Sequence, residues 1–263
     1  MNTKGYICYL VRHTDADIAN LVTGLQQLQA NYLAQFPCPV HMYHEAGLTK
    51  EMQQRILDVG VPLTFHQLQF EIPPKMAYMR DHLLPQQVGY RHMCRFFTNN
   101  IFWEPALQDV KYYMRLDTDS FTPKPITYDL FDHMDQHGYK YGYITTEMDA
   151  PHYYSGLQSS IAQYLESASV PTLEPISEIE DGRCYYTNFE ICEVAWFREE
   201  PWVSYFKWID EDGGIYRQRW GDHIIRYLGL HLFMPQAQIH QFRDVPYLHY
   251  RPYNIPGPGP IRR

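Results

Sequence analysis

Three short apolar runs separated by two amphipathic stretches of helical spacing fill the first 68 residues. That alternation constrains the chain more than any other feature. Gly5 to Val11 (GYICYLV) is rich in β-formers and reads as a buried strand. Thr14 or Asp15 can cap the helix that follows, which carries Ile18, Leu21, Val22, Leu25, Leu28 and Leu33 at helical spacing. Val40 to Tyr43 reads as the second strand. Thr49 opens a second helix through about Val59, and Leu63 to Leu68 makes a third strand. A β-α-β-α-β opening predicts an α/β sheet whose early strands run parallel, because each crossover helix returns the chain to the same edge.

Later elements are weaker. Val88 to Phe102 reads as a helix with aromatics on one side and Arg91 and Arg95 among them. Tyr112 to Leu116 is a strand that runs straight into Asp117-Thr118-Asp119. A helix around Leu130 to His137 precedes a strand over Tyr139 to Thr145. Glu147 to Ser155 reads as loop, 156–168 as helix, and Pro171 to Gly182 as acidic loop. Tyr186 to Val194 reads as a strand, and Pro201 to Ile209 and Ile215 to Leu228 as helices separated by Asp212-Gly213-Gly214. Tyr250 to Arg263 is rich in Pro and Gly and predicts no regular structure. With no internal repeat and no break in composition, the expectation is one domain over 1–263.

Composition narrows the function class. Apolar residues make up 45% and charged residues 20%, a globular balance rather than a disordered one. The net charge of −8 argues against a nucleic-acid partner, which calls for a basic surface. No run approaches the ~18 apolar residues of a transmembrane helix, and the N-terminus shows no signal-peptide pattern. The expectation is a soluble, cytoplasmic protein. Five cysteines, odd in number and without a Cys-x-x-Cys pair, argue against a disulfide framework or a thiolate zinc site. The 23 tyrosines are numerous enough to suit a site that grips sugars or nucleobases, although a tyrosine-rich core explains them equally well.

Four places carry candidate chemistry. Asp117-x-Asp119 follows an apolar strand, and open α/β sheets bind ligands at the carboxyl ends of their strands. Two carboxylates there can hold a divalent cation that bridges nucleotide phosphates, although such pairs also serve as turn residues. Glu190, between Phe189 and Ile191 in a strand, is unfavourable unless it is paired, outward-facing or used. Asp222 sits in a helical segment, where a lone carboxylate is usually solvated. His249 can be a metal ligand through its imidazole, or a structural His among aromatics.

These signals gain weight as an ordered set. Met93-Cys94-Arg95-Phe96, Tyr112-Tyr113-Met114-Arg115-Leu116-Asp117, Asn188-Phe189-Glu190-Ile191 and Arg219-Trp220-Gly221-Asp222 resemble the signature blocks of the fungal α-1,2-mannosyltransferases, glycosyltransferase family 15. Arg12 after the opening strand, Tyr141-Gly142-Tyr143 and the late Tyr247-x-His249 fit in the same order. The resemblance spans roughly residues 5 to 250. It implies a GT-A fold, a Rossmann-like mixed sheet flanked by helices, in which 5–119 form a nucleotide-sugar and metal half and 120–250 an acceptor and catalytic half, with 251–263 an irregular tail. It further implies GDP-mannose as donor, Mn²⁺ as cofactor, a glycan acceptor, and an α-1,2 linkage formed with retention.

Residue by residue, the resemblance makes Asp117 and His249 the metal ligands and Glu190 the nucleophile or stabiliser beside the anomeric carbon. Asp222 and Tyr90 complete the catalytic set. Arg12, Arg95, Asp117 and Asp119 are the expected nucleotide contacts. Asp117 stands where the family carries Glu, which keeps the charge and shortens the reach. Family members are usually Golgi membrane proteins with an N-terminal anchor and stem, so a trimmed chain working in the Golgi lumen competes with a complete soluble protein. Two alternatives stay open: a retaining transferase of the same fold using another nucleotide sugar, and a catalytically silent glycan- or nucleotide-binding module.

Overall fold

The computed structural model describes residues 4–249; the Pro- and Gly-rich segment from Tyr250 onward lies outside the described residues. The opening folds as its pattern dictates. Strand β1 (Gly5–Val11) leads to helix α1 (Asp15–Leu28), strand β2 (Val40–His44), helix α2 (Lys50–Leu57) and strand β3 (Leu63–Gln67). Thr14 caps α1 by accepting from the Asp17 N–H, and Thr49 caps α2 by accepting from the Met52 N–H, each satisfying a donor the helix leaves open.

The chain continues through α3 (Pro85–Thr98), β4 (Tyr112–Leu116), β5 (Ser120–Phe121), α4 (Leu130–His137), β6 (Tyr141–Tyr143) and β7 (Thr146–Met148). Then come α5 (Pro151–Tyr154), α6 (Leu157–Ala168), β8 (Arg183–Tyr185), β9 (Phe189–Glu193), α7 (Trp202–Asp212), α8 (Gly214–Arg217), α9 (Asp222–Phe233), β10 (Ile239–Gln241) and β11 (Leu248–His249).

Seven strands form the main sheet in the order β10-β6-β9-β4-β1-β2-β3. The β1 to β3 pairs, β1 with β4, and β6 with β10 are parallel, whereas β9 runs antiparallel to both β4 and β6. The sheet is therefore mixed. Two short antiparallel ladders lie beside it, β5 with β11 and β7 with β8.

Each face of the sheet buries its own apolar cluster, and the alternation of side chains sorts residues between them. Ile7, Tyr9, Met42, Tyr112, Met114 and Ile191 face one side, against α1 and α4. Cys8, Tyr43, Tyr113, Tyr141 and Cys192 face the other, against α3, α6, α7 and α9. Arg115 and Glu190 fall on this second face, directly opposite each other in the β4–β9 register. Among the described residues no helix is long and apolar enough to cross a membrane.

Three expected elements differ. The helix expected over Ile215 to Leu228 is broken into α8 and α9 by a turn in which Arg219 adopts a left-handed φ of 71°. The loop expected over Glu147 to Ser155 contains the end of β7 and all of α5. The β strand expected from Tyr186 begins only at Phe189, because Tyr186 to Asn188 turn to meet the end of β4.

Candidate active site and metal centre

The site is built where β4 ends. The Asp117 N–H donates to the Asn188 carbonyl at 3.3 Å and to Ser120 Oγ at 3.0 Å, and its carbonyl accepts from the Ser120 N–H at 3.0 Å. This closes a tight turn that aims Asp117 and Asp119 out of the strand end. Ser120 then opens β5, whose pairing with β11 sets His249 opposite Ser120. Tyr247 anchors that strand through hydrogen bonds with Ser120 Oγ at 2.7 Å and Asn188 Oδ1 at 2.6 Å.

Asp117, Asp119 and His249 each contribute one ligand atom to a group whose members all lie within 4.8 Å of one another. Nε2 of His249 sits 2.9 Å from Asp119 Oδ1, and Nδ1 sits 2.9 Å from the Tyr186 hydroxyl. A partner on Nδ1 fixes ring orientation and leaves Nε2 for a metal. Two carboxylates and one imidazole are hard donors suited to Mn²⁺ or Mg²⁺ rather than to a thiolate-bound ion, so the residues fit such a cation.

Arg115 ties this group to the rest of the site. Only 2% exposed, it donates from Nε to Asp117 Oδ1 at 2.9 Å and from Nη1 to Asp222 Oδ2 at 2.6 Å, with its plane 3.8 Å from the centre of the Phe97 ring. Asp222, the first residue of α9, also accepts from Thr187 Oγ1 at 2.8 Å. Burial pushes its carboxyl up, but the Arg115 charge, then His223, and the bonds from Thr187 and Arg115 outweigh it and hold the group ionised, below the usual carboxylate range.

Glu190 occupies a different environment from the one expected beside a sugar. Neither it nor Arg226 of α9 has any exposed side-chain surface. Its oxygens accept from the Tyr113 hydroxyl at 2.6 Å, Arg226 Nε at 3.1 Å and Arg226 Nη2 at 3.3 Å. Arg226 in turn donates to the carbonyls of Phe97 and Thr98 and lies against Phe197, Trp202 and Phe102. The strand carboxylate is thus paired, neither outward-facing nor open to a ligand.

Tyr90, on α3, has its ring centre 4.1 Å from the Arg219 guanidinium, which also lies 3.9 Å from the centre of the Tyr153 ring. The left-handed backbone at Arg219 costs about 1–3 kcal/mol and persists only where the surroundings dictate it. They do so here: Trp220 is buried with its Nε1 donating to the Ser155 carbonyl at 3.0 Å, and Asp222 is fixed by Arg115.

Two residues expected to contact the nucleotide pair with carboxylates of the protein. The Arg12 side chain is 77% exposed and pairs with Asp17 at 3.1 Å. Arg95 makes a two-pronged pair with Asp210 of α7 at 2.6 and 2.8 Å, beside a small cavity lined by Phe70, His92 and Tyr216. Conversely, the sequence reading gave no role to Arg115, Arg219 or Tyr186. The signal for Arg115 was present: a charge inside an otherwise apolar strand demands a buried partner.

A family profile described as glycolipid 2-alpha-mannosyltransferase matches residues 2–263. Probable mannosyltransferase KTR4 of Saccharomyces cerevisiae is 26% identical over 95% of this chain and 61% of its own length. Glycolipid 2-alpha-mannosyltransferase 1 of Candida albicans is 28% identical over 72% of this chain and 47% of its own length. The chain therefore spans roughly half to three fifths of the length of these two relatives. Among solved structures, Ktr4p of S. cerevisiae in complex with GDP superposes with a TM-score of 0.83 at 27% identity, covering 95% of this chain and 72% of that one. Core-mannan synthase A of Aspergillus fumigatus, in a Mn/GDP form, gives the same TM-score at 22% identity over 94% of this chain and 74% of that one, a likeness of fold. The mixed sheet flanked by helices is accordingly the GT-A-like fold, and the chain belongs to the glycolipid 2-alpha-mannosyltransferase family, glycosyltransferase family 15.

Proposed function

We propose that the chain is a metal-dependent, retaining transferase that moves mannose from GDP-mannose to a glycan acceptor and forms an α-1,2 linkage. The observation that carries this reading is the Asp117–Asp119–His249 group, joined through buried Arg115 to Asp222. GDP in a solved relative at 27% identity supports the guanine nucleotide. In this reading 5–119 supply the nucleotide and metal side and 120–250 the acceptor and catalytic side, with His249 brought back beside Asp119 by the β5–β11 ladder.

Asp117, Asp119 and His249 would hold Mn²⁺, whose charge neutralises the diphosphate as the glycosidic bond breaks. Arg115 orients Asp117, and its second hand orients Asp222 and holds it ionised. Oδ2 of Asp222 is occupied by Arg115 and Thr187, while Oδ1 makes no hydrogen bond among the described residues and can accept from an acceptor hydroxyl. Tyr90, close enough to Asp222 and Arg219 to feel both charges, completes the catalytic side. Glu190, with both oxygens occupied at zero exposure, serves here to position Arg226 and Tyr113 rather than to attack a sugar carbon.

The test is transfer from GDP-mannose to a mannoside, with and without EDTA, followed by determination of product linkage and anomeric configuration. Donor hydrolysis and transfer both absent, with GDP still bound, would establish the silent binding module. Transfer from a UDP-sugar in place of GDP-mannose would establish the other transferase.

A further inference from the structure

Arg219 combines three features that together suit a ligand contact. Its backbone is held left-handed, its guanidinium carbon lies 4.1 and 3.9 Å from the centres of the Tyr90 and Tyr153 rings, and it makes no hydrogen bond or ion pair among the described residues. Two rings against it restrict the guanidinium, while its N–H donors, without a partner among the described residues, can meet two oxygens of one anion.

The local charge agrees. Arg91, one residue from Tyr90, is 8% exposed and among the described residues donates only to the carbonyls of Tyr216 and Gln87. Burial first, and then the Arg219 charge, push the Arg91 guanidinium down, a sign of positive charge that the protein does not fully offset. Asp149, whose carboxylate also feels Arg219, is engaged by His223 at 2.9 Å. In a chain of net charge −8, two neighbouring arginines without carboxylate partners among the described residues point to an anionic ligand.

We propose that Arg219 is a phosphate-binding residue of this site, presenting its N–H donors beside Tyr90 and Tyr153 to two phosphate oxygens. The assignment rests on the nucleotide-sugar reading above for its setting. The phosphate can belong to the donor diphosphate or to a phosphorylated acceptor sugar.

Calorimetry on the full chain with pyrophosphate, GDP, guanosine and mannose 6-phosphate tests it, using Arg219→Met, Arg219→Lys and Arg219→Gly. Arg219→Met weakens at least one phosphate ligand by about 10-fold or more and leaves guanosine unchanged, and Arg219→Lys recovers only part because an ammonium lacks the fork. Arg219→Gly melts no lower than wild type, because glycine takes the left-handed backbone without strain, yet binds as poorly as Arg219→Met. A merely structural stacking role predicts the opposite pattern: lower melting with unchanged affinity.

Loss confined to GDP and pyrophosphate identifies the donor diphosphate, and loss confined to mannose 6-phosphate identifies the acceptor. Wild-type affinity within about 2-fold for every phosphate ligand in both Arg219→Met and Arg219→Gly overturns the proposal, as does a wild-type protein that binds none of them. If wild type binds pyrophosphate through Arg219 but not GDP, the nucleotide reading falls and the phosphate site stands.

Discussion

Asp117 is held more firmly than a turn carboxylate needs to be. Its N–H is shared between Asn188 and Ser120, and Arg115 reaches both of its oxygens, at 2.9 and 3.4 Å. Removing the carboxylate leaves the turn closed by its backbone bonds but takes one of three donors from the Asp117–Asp119–His249 group proposed to hold the cation. Asp117→Ala should therefore fold normally and lose about 100-fold or more in Mn²⁺-dependent GDP affinity, since disturbing even the groups behind a ligand costs 10–100-fold. Calorimetry showing unchanged GDP affinity and unchanged Mn²⁺ dependence would remove Asp117 from the metal centre. Glu190 responds differently. Glu190→Gln leaves Arg226 charged, buried and without its counter-ion, so stability should fall by about 3–5 kcal/mol, read from urea unfolding. A loss under about 1 kcal/mol joined to a turnover drop of orders of magnitude per folded molecule would return Glu190 to the chemistry. At this scale the sequence exposed the carboxylates and His249, because strand ends and an ordered motif set are local signals. It could not expose the Arg115–Asp222 pair, whose partners are 107 positions apart.

Among the elements, the first five were legible because period-2 and period-3.6 patterns there are long and carry their own caps. The strands β5 and β11 have two residues each, too few for any periodicity, although they deliver Asp119 and His249. The break between α8 and α9 was illegible for another reason. Tyr216, Trp220, Ile224 and Tyr227 keep helical spacing across it, and only the anchoring of Trp220 and Asp222 forces Arg219 out of the helix. Strands β2 and β3 carry a pH dependence of their own. Nδ1 of His41 lies 2.6 Å from Nε2 of His66, with the Tyr6 ring stacked on His41 and the Tyr43 ring on His66. Burial, and then the His66 charge, lower the His41 imidazole to about 4. A histidine lowered in the folded state binds its proton more readily when unfolded. Its contribution is intact above the unfolded value near 6.5 and is lost as pH falls from there toward about 4. Urea unfolding should show stability falling across that window by at most about 3 kcal/mol from His41, and His41→Phe should flatten the slope. An unchanged slope would place the dependence on other groups, such as His92, which burial and Arg95 also lower to about 4.

For the whole molecule, the decisive property is convergence. Asp117 and Asp119, Thr187, Asp222 and His249 come from four distant stretches of chain and meet only because β9 inserts antiparallel between β4 and β6 while β11 returns to β5. Such a site exists in the folded state and not in the unfolded chain, so its ligands stabilise folding by mass action. At a free concentration about 100 times its dissociation constant, GDP with Mn²⁺ should add about 2.7 kcal/mol. For a domain of this size that is a rise of about 5–10 °C in melting temperature. The pattern across ligands carries more than the size of any single shift. GDP-mannose with Mn²⁺ should match GDP, EDTA should abolish most of the gain, and UDP with Mn²⁺ should give little, because phosphates and metal are shared while the base is not. Equal shifts from UDP and GDP would mean that the pocket grips the diphosphate without reading the base, and the donor assignment would fall to the broader nucleotide-sugar class. A shift from Mn²⁺ alone, with none added by GDP, would leave a cation site at the end of β4 that has no nucleotide to serve.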